Sequence, residues 1–331
     1  MKTIAVIGAG GWGTALAILL AETGLPVTLW GYEKEHVEEL KATRENRLFL
    51  PGVTLPELIR PTNDMADALD ADVVLFVPPS KAMRSVAKNF AALKPSESTV
   101  LLSCTKGIEQ GTGARMSEVL GEFFPENPLA VLSGPSHAEE VSRKAPTAVV
   151  IGCRDHNIAK KLQLIFSTKT FRTYTSTDVA GIELGGALKN IFAIAAGMSD
   201  GLGLGDNTKA ALVTRALAEL IRLGTALGGR RETFQGLSGI GDLMVTCFSR
   251  HSRNRGVGER LGKGESLAAI SASMVMIAEG VPTALSASEC ARRHNIATPI
   301  IDEVHAALYE NKPAHDAMMS LLGREPREEE D

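Results

Sequence analysis

Residues 3–13 read Thr3-Ile4-Ala5-Val6-Ile7-Gly8-Ala9-Gly10-Gly11-Trp12-Gly13. Thr3–Ile7 is a β-branched run that suits a strand. Thr14–Glu22, rich in alanine and leucine, suits a helix. Between them Gly8, Gly10 and Gly13 are spaced as G-x-G-x-x-G, with Gly11 and Trp12 in the intervening positions. The first glycine permits a tight turn, the second lets the backbone approach a pyrophosphate, and the third lets the helix pack closely on the strand. The helix N-terminus then attracts phosphate. A strand before the pattern and a helix after it make a dinucleotide site the better reading over an ordinary glycine-rich turn.

Working outward, Pro26–Trp30 reads as a second strand and Glu33–Thr43 as a helix. Asp72–Val77, Thr99–Leu102, Leu129–Leu132, Thr147–Ile151 and Phe171–Tyr174 read as further strands, with a helix over Lys81–Leu93. This alternation predicts a parallel, doubly wound sheet whose apolar strands are covered on both faces. Past Asp178 strand signals stop. Helical stretches follow at Val179–Met198, Thr208–Leu227, Arg255–Leu261, Ser286–His294 and Ile300–Tyr309. At 331 residues the chain exceeds a single core. The boundary is placed at Thr177, giving a dinucleotide-binding domain over 1–177 and an all-helical substrate-binding domain over 178–331. The charged tail Arg324–Asp331 is expected to fray.

A net charge of −4 argues against binding nucleic acid or an anionic membrane surface. The most apolar stretch, Val179–Met198, contains Glu183, Lys189 and Asn190, which suits a buried core helix better than a membrane span. Cys104, Cys153, Cys247 and Cys290 form no C-x-x-C pair and read as reduced thiols of a cytosolic protein, with no metal site.

Several polar groups stand out. Leu29-Trp30-Gly31-Tyr32 ends the second strand without the acid that binds the ribose 2′-hydroxyl of NAD, and Glu33 comes late, so NADP is permitted but not demanded. Lys106 follows a buried strand, either reaching a ligand beyond the strand ends or sitting in a solvated loop. Ser133-Gly134-Pro135-Ser136 follows another strand and is a ligand-facing turn or a plain one. Lys189 lies in an apolar helix, where burial would lower its pKa toward a value useful for proton transfer, unless it snorkels to the rim. Gly185 and Gly186 before it would admit another backbone. Asp242 offers a carboxylate after a Gly-rich turn. Arg250-His251-Ser252-Arg253-Asn254-Arg255 presents three guanidinium groups as an anion cradle, or else a solvated helix start or an RNA patch.

The order of GAGGWGTALA (8–17), FLPG (49–52), TKGIE (105–109), SGPSHAEE (133–140), GGALKNIFAIAAGMSDGLG (185–203), GIGDLMVTC (239–247), SRNR (252–255), AEG (278–280) and LLGR (321–324) resembles the bacterial NAD(P)-dependent glycerol-3-phosphate dehydrogenases over essentially the whole chain. The resemblance implies a Rossmann domain followed by a helical domain, usually as a dimer. It implies reversible reduction of dihydroxyacetone phosphate to sn-glycerol 3-phosphate, a precursor of membrane phospholipids. It would place Gly11, Trp12, Tyr32, Phe49, Lys106, Ala138, Arg253, Ile277 and Glu279 along NADP or NAD. Lys106, Gly134, Ser136, Asp242, Ser252, Arg253 and Asn254 would hold substrate, with Asn190 beside them. Lys189 would donate and accept the proton, with Asp242 orienting it and Lys106 adding positive charge. Tyr32 and His137 depart from residues common in the family, and Ile277 and Ala278 vary within it. A β-hydroxyacid dehydrogenase is the rival enzyme, and a dinucleotide-sensing regulator the rival outside catalysis.

Overall fold

A computed structural model describes residues 1–325 and 328 of the chain. Apart from Arg324, Glu325 and Glu328, the tail expected to fray lies outside the described residues.

The strands are β1 (Ile4–Ile7), β2 (Val27–Trp30), β3 (Glu45–Asn46), β4 (Leu50–Thr54), β5 (Ile59–Thr62), β6 (Val73–Phe76), β7 (Val100–Ser103), β8 (Leu129–Ser133), β9 (Thr147–Cys153) and β10 (Phe171–Ser176). Among them lie helices α1 (Gly11–Ala21), α2 (Lys34–Thr43), α3 (Met83–Ala92), α4 (Met116–Phe123), α5 (Ala138–Val141) and α6 (His156–Phe166). The rest is helical: α7 (Val179–Gly201), α8 (Gly205–Ala226), α9 (Arg231–Phe234), α10 (Asp242–Phe248), α11 (Arg253–Gly262), α12 (Leu267–Ala272), α13 (Gly280–Arg293), α14 (Pro299–Tyr309) and α15 (Ala314–Leu322).

Eight strands form one sheet in the order β10-β9-β8-β7-β6-β1-β2-β5. From β5 to β8 all neighbours are parallel. The chain leaves β1 toward β2 and later returns to its other side at β6. The crevice beyond the carboxyl ends of β1 and β6 is therefore the topological switch point, where ligands of such sheets bind. Every residue of β1, β6 and β7 is buried, as strands covered on both faces require. Val6, Leu75 and Leu102 face α1 and α6, whereas Ile7, Phe76 and Leu101 face α3 and α4.

The parallel, doubly wound sheet that was expected is present from β5 to β8; beyond it β9 runs antiparallel to β8, with β10 parallel to β9. Residues 134–146 hold only the single turn α5 and return from the carboxyl end of β8 without crossing the sheet, so β9 must run back. The sequence reading also lacked β5, whose Pro61 removes a ladder donor and is tolerated because β5 is an edge strand. It lacked the β3–β4 hairpin too, which sets Phe49 beside α1.

The spine of the helical half is α7. It is long and apolar enough to cross a membrane, yet 89% of its most apolar window is buried inside the protein. Asp178 caps it, accepting from Gly181 N at 3.0 Å and also from Arg230 N and the Thr233 hydroxyl. One turn on, buried Glu183 accepts from Ser117 N at 2.8 Å and Arg115 Nη1 at 2.7 Å, tying α7 to the start of α4. Where α7 crosses α11 the backbones touch. A Cβ on Gly197 would stand 2.0 Å from the Arg255 carbonyl oxygen, and one on Gly258 would stand 1.9 Å from that of Ile194. This crossing brings the start of α11 down onto the middle of α7.

Candidate active site

The three spaced glycines do different jobs. Gly8 has φ +125°, and a Cβ there would lie 2.8 Å from the Val77 carbonyl oxygen. A Cβ on Gly13 would lie 1.9 Å from the Gly8 carbonyl oxygen. At Gly10 nothing approaches within 4 Å, so open space faces the start of α1. That helix has no side-chain cap and no acid in its first turn, leaving its amide donors and positive dipole end for an anion. The Trp12 indole Nε1 is buried there without a partner. The Phe49 carbonyl and the Ala138 methyl close on Gly11 from two sides. An unfilled space, unspent amides and an orphaned N–H fit the pyrophosphate of a dinucleotide. Tyr32 stands apart at the end of β2, 76% exposed, with Asn63 Nδ2 donating to the carbonyls of Gly31 and Tyr32 at 2.8 Å.

The chemistry gathers around one carboxylate. Asp242 is 1% exposed and takes Lys106 Nζ on Oδ2 at 2.7 Å and Lys189 Nζ on Oδ1. Lys106 Nζ also donates to the Gly134 carbonyl at 2.9 Å. Lys189 Nζ donates to Thr246 Oγ1 at 2.8 Å, and that hydroxyl donates to the Asp242 carbonyl at 2.6 Å. Burial would raise the Asp242 carboxyl, but Lys106 and Lys189 together hold it below the usual carboxylate range. Burial pulls Lys189 down to about 7; Asp242 opposes this and the Lys106 charge adds to it. Lys189 does not snorkel: it is 5% exposed. Gly185 meets the Ser238 carbonyl, as expected for a backbone approach, whereas Gly186 meets the Ser133 hydroxyl. Thr246 escaped the sequence reading; its signal is the i, i+4 spacing from Asp242 on what proves to be α10.

The expected three-arginine cradle is corrected. Arg255 Nε is held by Asp200 Oδ2 at 2.6 Å, with Glu259 also beside its guanidinium, and Arg250 is exposed. Arg253 and Arg255 point apart because residues two apart on a helix are separated by more than half a turn, and Arg250 lies ahead of α11. Arg253 remains, with Nη1 donating to the Ile277 carbonyl at 2.9 Å. Ser252 caps α11 by accepting from Arg255 N at 3.2 Å, which leaves its hydroxyl proton free to donate. The Asn254 carboxamide ties α11 to α7 and α13: Nδ2 donates to Asn190 Oδ1 at 2.9 Å, and Oδ1 accepts from Gly280 N at 2.8 Å. Beside Gly280, Glu279 Oε1 accepts from Ser80 N at 3.0 Å and Oε2 from the Ser80 hydroxyl, joining α13 to the carboxyl end of β6. Ser136 donates to the Gly134 carbonyl at 2.9 Å, closing its turn. The four cysteines are buried and unpaired, and burial pushes the Cys247 thiol up to about 12.

A doubly wound sheet with an open glycine turn at its switch point, and a buried carboxylate that pairs Lys106 of the sheet half with Lys189 of the helical half, define a nicotinamide-dependent oxidoreductase. Family models sharpen this. Residues 3–159 match the N-terminal domain of the NAD-dependent glycerol-3-phosphate dehydrogenases, and residues 178–319 match their C-terminal domain. The chain is 50% identical over 333 residues to the NAD(P)+ glycerol-3-phosphate dehydrogenase of Geobacter sulfurreducens, covering 99% of both chains. It is 49% identical over 330 residues to that of Chlorobium phaeobacteroides, covering 98% of both. The crystal structure of the Coxiella burnetii glycerol-3-phosphate dehydrogenase superposes with a TM-score of 0.95 at 38% identity, covering 98% of this chain and 99% of that one. The chain belongs to the NAD(P)-dependent glycerol-3-phosphate dehydrogenase family. A ketopantoate reductase from Ralstonia eutropha shares the fold alone, at 16% identity and a TM-score of 0.63 over 96% of this chain and 99% of that one.

Proposed function

We propose that this chain reduces dihydroxyacetone phosphate reversibly to sn-glycerol 3-phosphate in the cytoplasm, as a homodimer, supplying glycerophospholipid synthesis. Residues 1–177 carry the dinucleotide, and residues 178–331 supply the proton donor and most of the phosphate contacts. Lys106, Gly134 and Ser136 reach the substrate from the first part, and Arg253, Ile277 and Glu279 reach the cofactor from the second. The observation that carries the reading is the Lys106–Asp242–Lys189 cluster.

A bound nicotinamide supplies the hydride. The residues do the rest. Lys189, held by Asp242 and Thr246, gives its proton to the ketone oxygen during reduction and recovers it during oxidation. Lys106 keeps a positive charge near the oxygen as negative charge develops there. Arg253, the Ser252 hydroxyl and the first amides of α11 face the phosphate. Purified protein should oxidise NADPH or NADH with dihydroxyacetone phosphate. Turnover on a β-keto acid with none on dihydroxyacetone phosphate would replace this reading with that of a β-hydroxyacid dehydrogenase.

A further inference from the structure

His137 sits where the two halves meet. It is the N-cap of α5, between the Ser133–Ser136 turn and Ala138, which lies against Gly11. Its ring packs on that of His251, with centroids 5.8 Å apart, and His251 immediately precedes Ser252 and Arg253. The imidazole Nε2 is buried with no hydrogen-bond partner. Buried polar groups are nearly always paired, so an orphan inside a ligand cleft marks a contact that a ligand completes. Burial, then the charges of Lys189 and Lys106, hold this imidazole below its ordinary pKa, outweighing Glu139 and Asp242. The ring is thereby held toward its neutral form, in which one ring nitrogen donates. Beside two ammonium groups a third cation would be repelled; a neutral N–H adds a hydrogen bond without that repulsion.

We propose that His137 is a specificity-determining residue, its Nε2–H donating to a phosphoryl oxygen of the substrate. The contact to His251 places the ring toward the start of α11, while the reacting oxygen already has Lys189 and Lys106. The inference rests on the proposed substrate, and the assay separates the two. If wild-type protein fails to turn over dihydroxyacetone phosphate, the functional reading falls first.

If wild type is active, His137→Phe keeps the ring against His251 and removes the donor. KM for dihydroxyacetone phosphate should rise about 10- to 100-fold, the range of a hydrogen bond to a charged group. kcat should stay within a few-fold, NADPH affinity should hold, and the slow turnover of unphosphorylated dihydroxyacetone should not change. His137→Gln, which retains a donor, should recover much of the loss. An unchanged KM in His137→Phe, or equal losses on both ketones, overturns the assignment. Should the Phe variant not fold, wild-type protein titrated with inorganic phosphate decides: among the seven histidines, the assigned His137 ring resonance must shift, and the absence of a shift overturns the proposal.

Discussion

Lys189 is caught between burial, which favours the neutral amine, and Asp242, which favours the ammonium. Burial wins, aided by the Lys106 charge, and the group sits at about 7. The sign of the pH dependence follows. With Lys189 as the proposed proton donor, ketone reduction needs it protonated, so kcat/KM in that direction should fall as pH rises through about 7. Alcohol oxidation needs the neutral amine, so the same limb should rise. Parallel profiles in both directions would rule Lys189 out as the proton-transfer group. Lys189→Met should lower kcat by about 10²–10⁴-fold with cofactor affinity retained, the usual worth of a positioned acid; near-normal kcat would refute the role. Lys106 acts on the same proton at one remove. Removing its charge, as in Lys106→Met, removes a repulsion and leaves Asp242 to Lys189 alone. The Lys189 limb should then move to higher pH, alongside a rise in substrate KM. A limb that stays in place would show that burial and Asp242 set Lys189 without Lys106.

Elements place these residues, and the decisive contact is the crossing of α7 and α11. Glycine inside a helix ordinarily costs about 0.5–1 kcal/mol relative to alanine. At Gly258 the clash outweighs that gain, because a methyl would stand 1.9 Å from a carbonyl oxygen of the partner helix and backbone must move. Overpacking of this kind costs about 1–3 kcal/mol. Gly258→Ala should therefore lower Tm by several degrees and, by lifting the start of α11, raise substrate KM. Gly256→Ala is the control, because nothing lies within 4 Å of that site and stability should hold or improve. Equal behaviour of the two variants would deny the crossing its role. This scale also marks how far the sequence could be read. The Gly8–Gly13 turn was legible because all its constraints are local. The four-residue spacings Gly197/Gly201 and Gly258/Gly262 were equally visible, but nothing local said that they face each other. The reversal at β9 is absent from composition, since a strand reads alike in either direction. Arg255 was assigned to the anion cradle because its helical phase depends on where α11 begins, which Ser252 sets.

Across the whole molecule, a line of hydrogen bonds joins the crevice at the switch point to α7. Ser80 lies past the carboxyl end of β6 and gives both its N–H and its hydroxyl to Glu279. The next residue, Gly280, donates to Asn254, and Asn254 donates to Asn190, beside Lys189 on α7. A Cβ on Gly280 would meet the Asn190 carbonyl at 2.5 Å, so α13 is seated directly on α7. The seam between the halves is thus hydrogen-bonded and closely packed where both ligands are proposed to bind. Burial raises the Glu279 carboxyl, and the two donors from Ser80 offset part of that. Glu279→Ala would strand both Ser80 donors, and an unmet buried donor costs about 1–3 kcal/mol. Cofactor affinity, read by NADPH fluorescence, should fall about 10- to 100-fold. Substrate KM should rise with it, because Asn254 loses the support of a fixed Gly280. Glu279→Gln keeps an acceptor for one Ser80 donor and should fall between wild type and Ala on both readouts. A loss of Tm alone, with cofactor affinity and KM within twofold of wild type, would make Glu279 a structural staple and break the proposed link between the two sites.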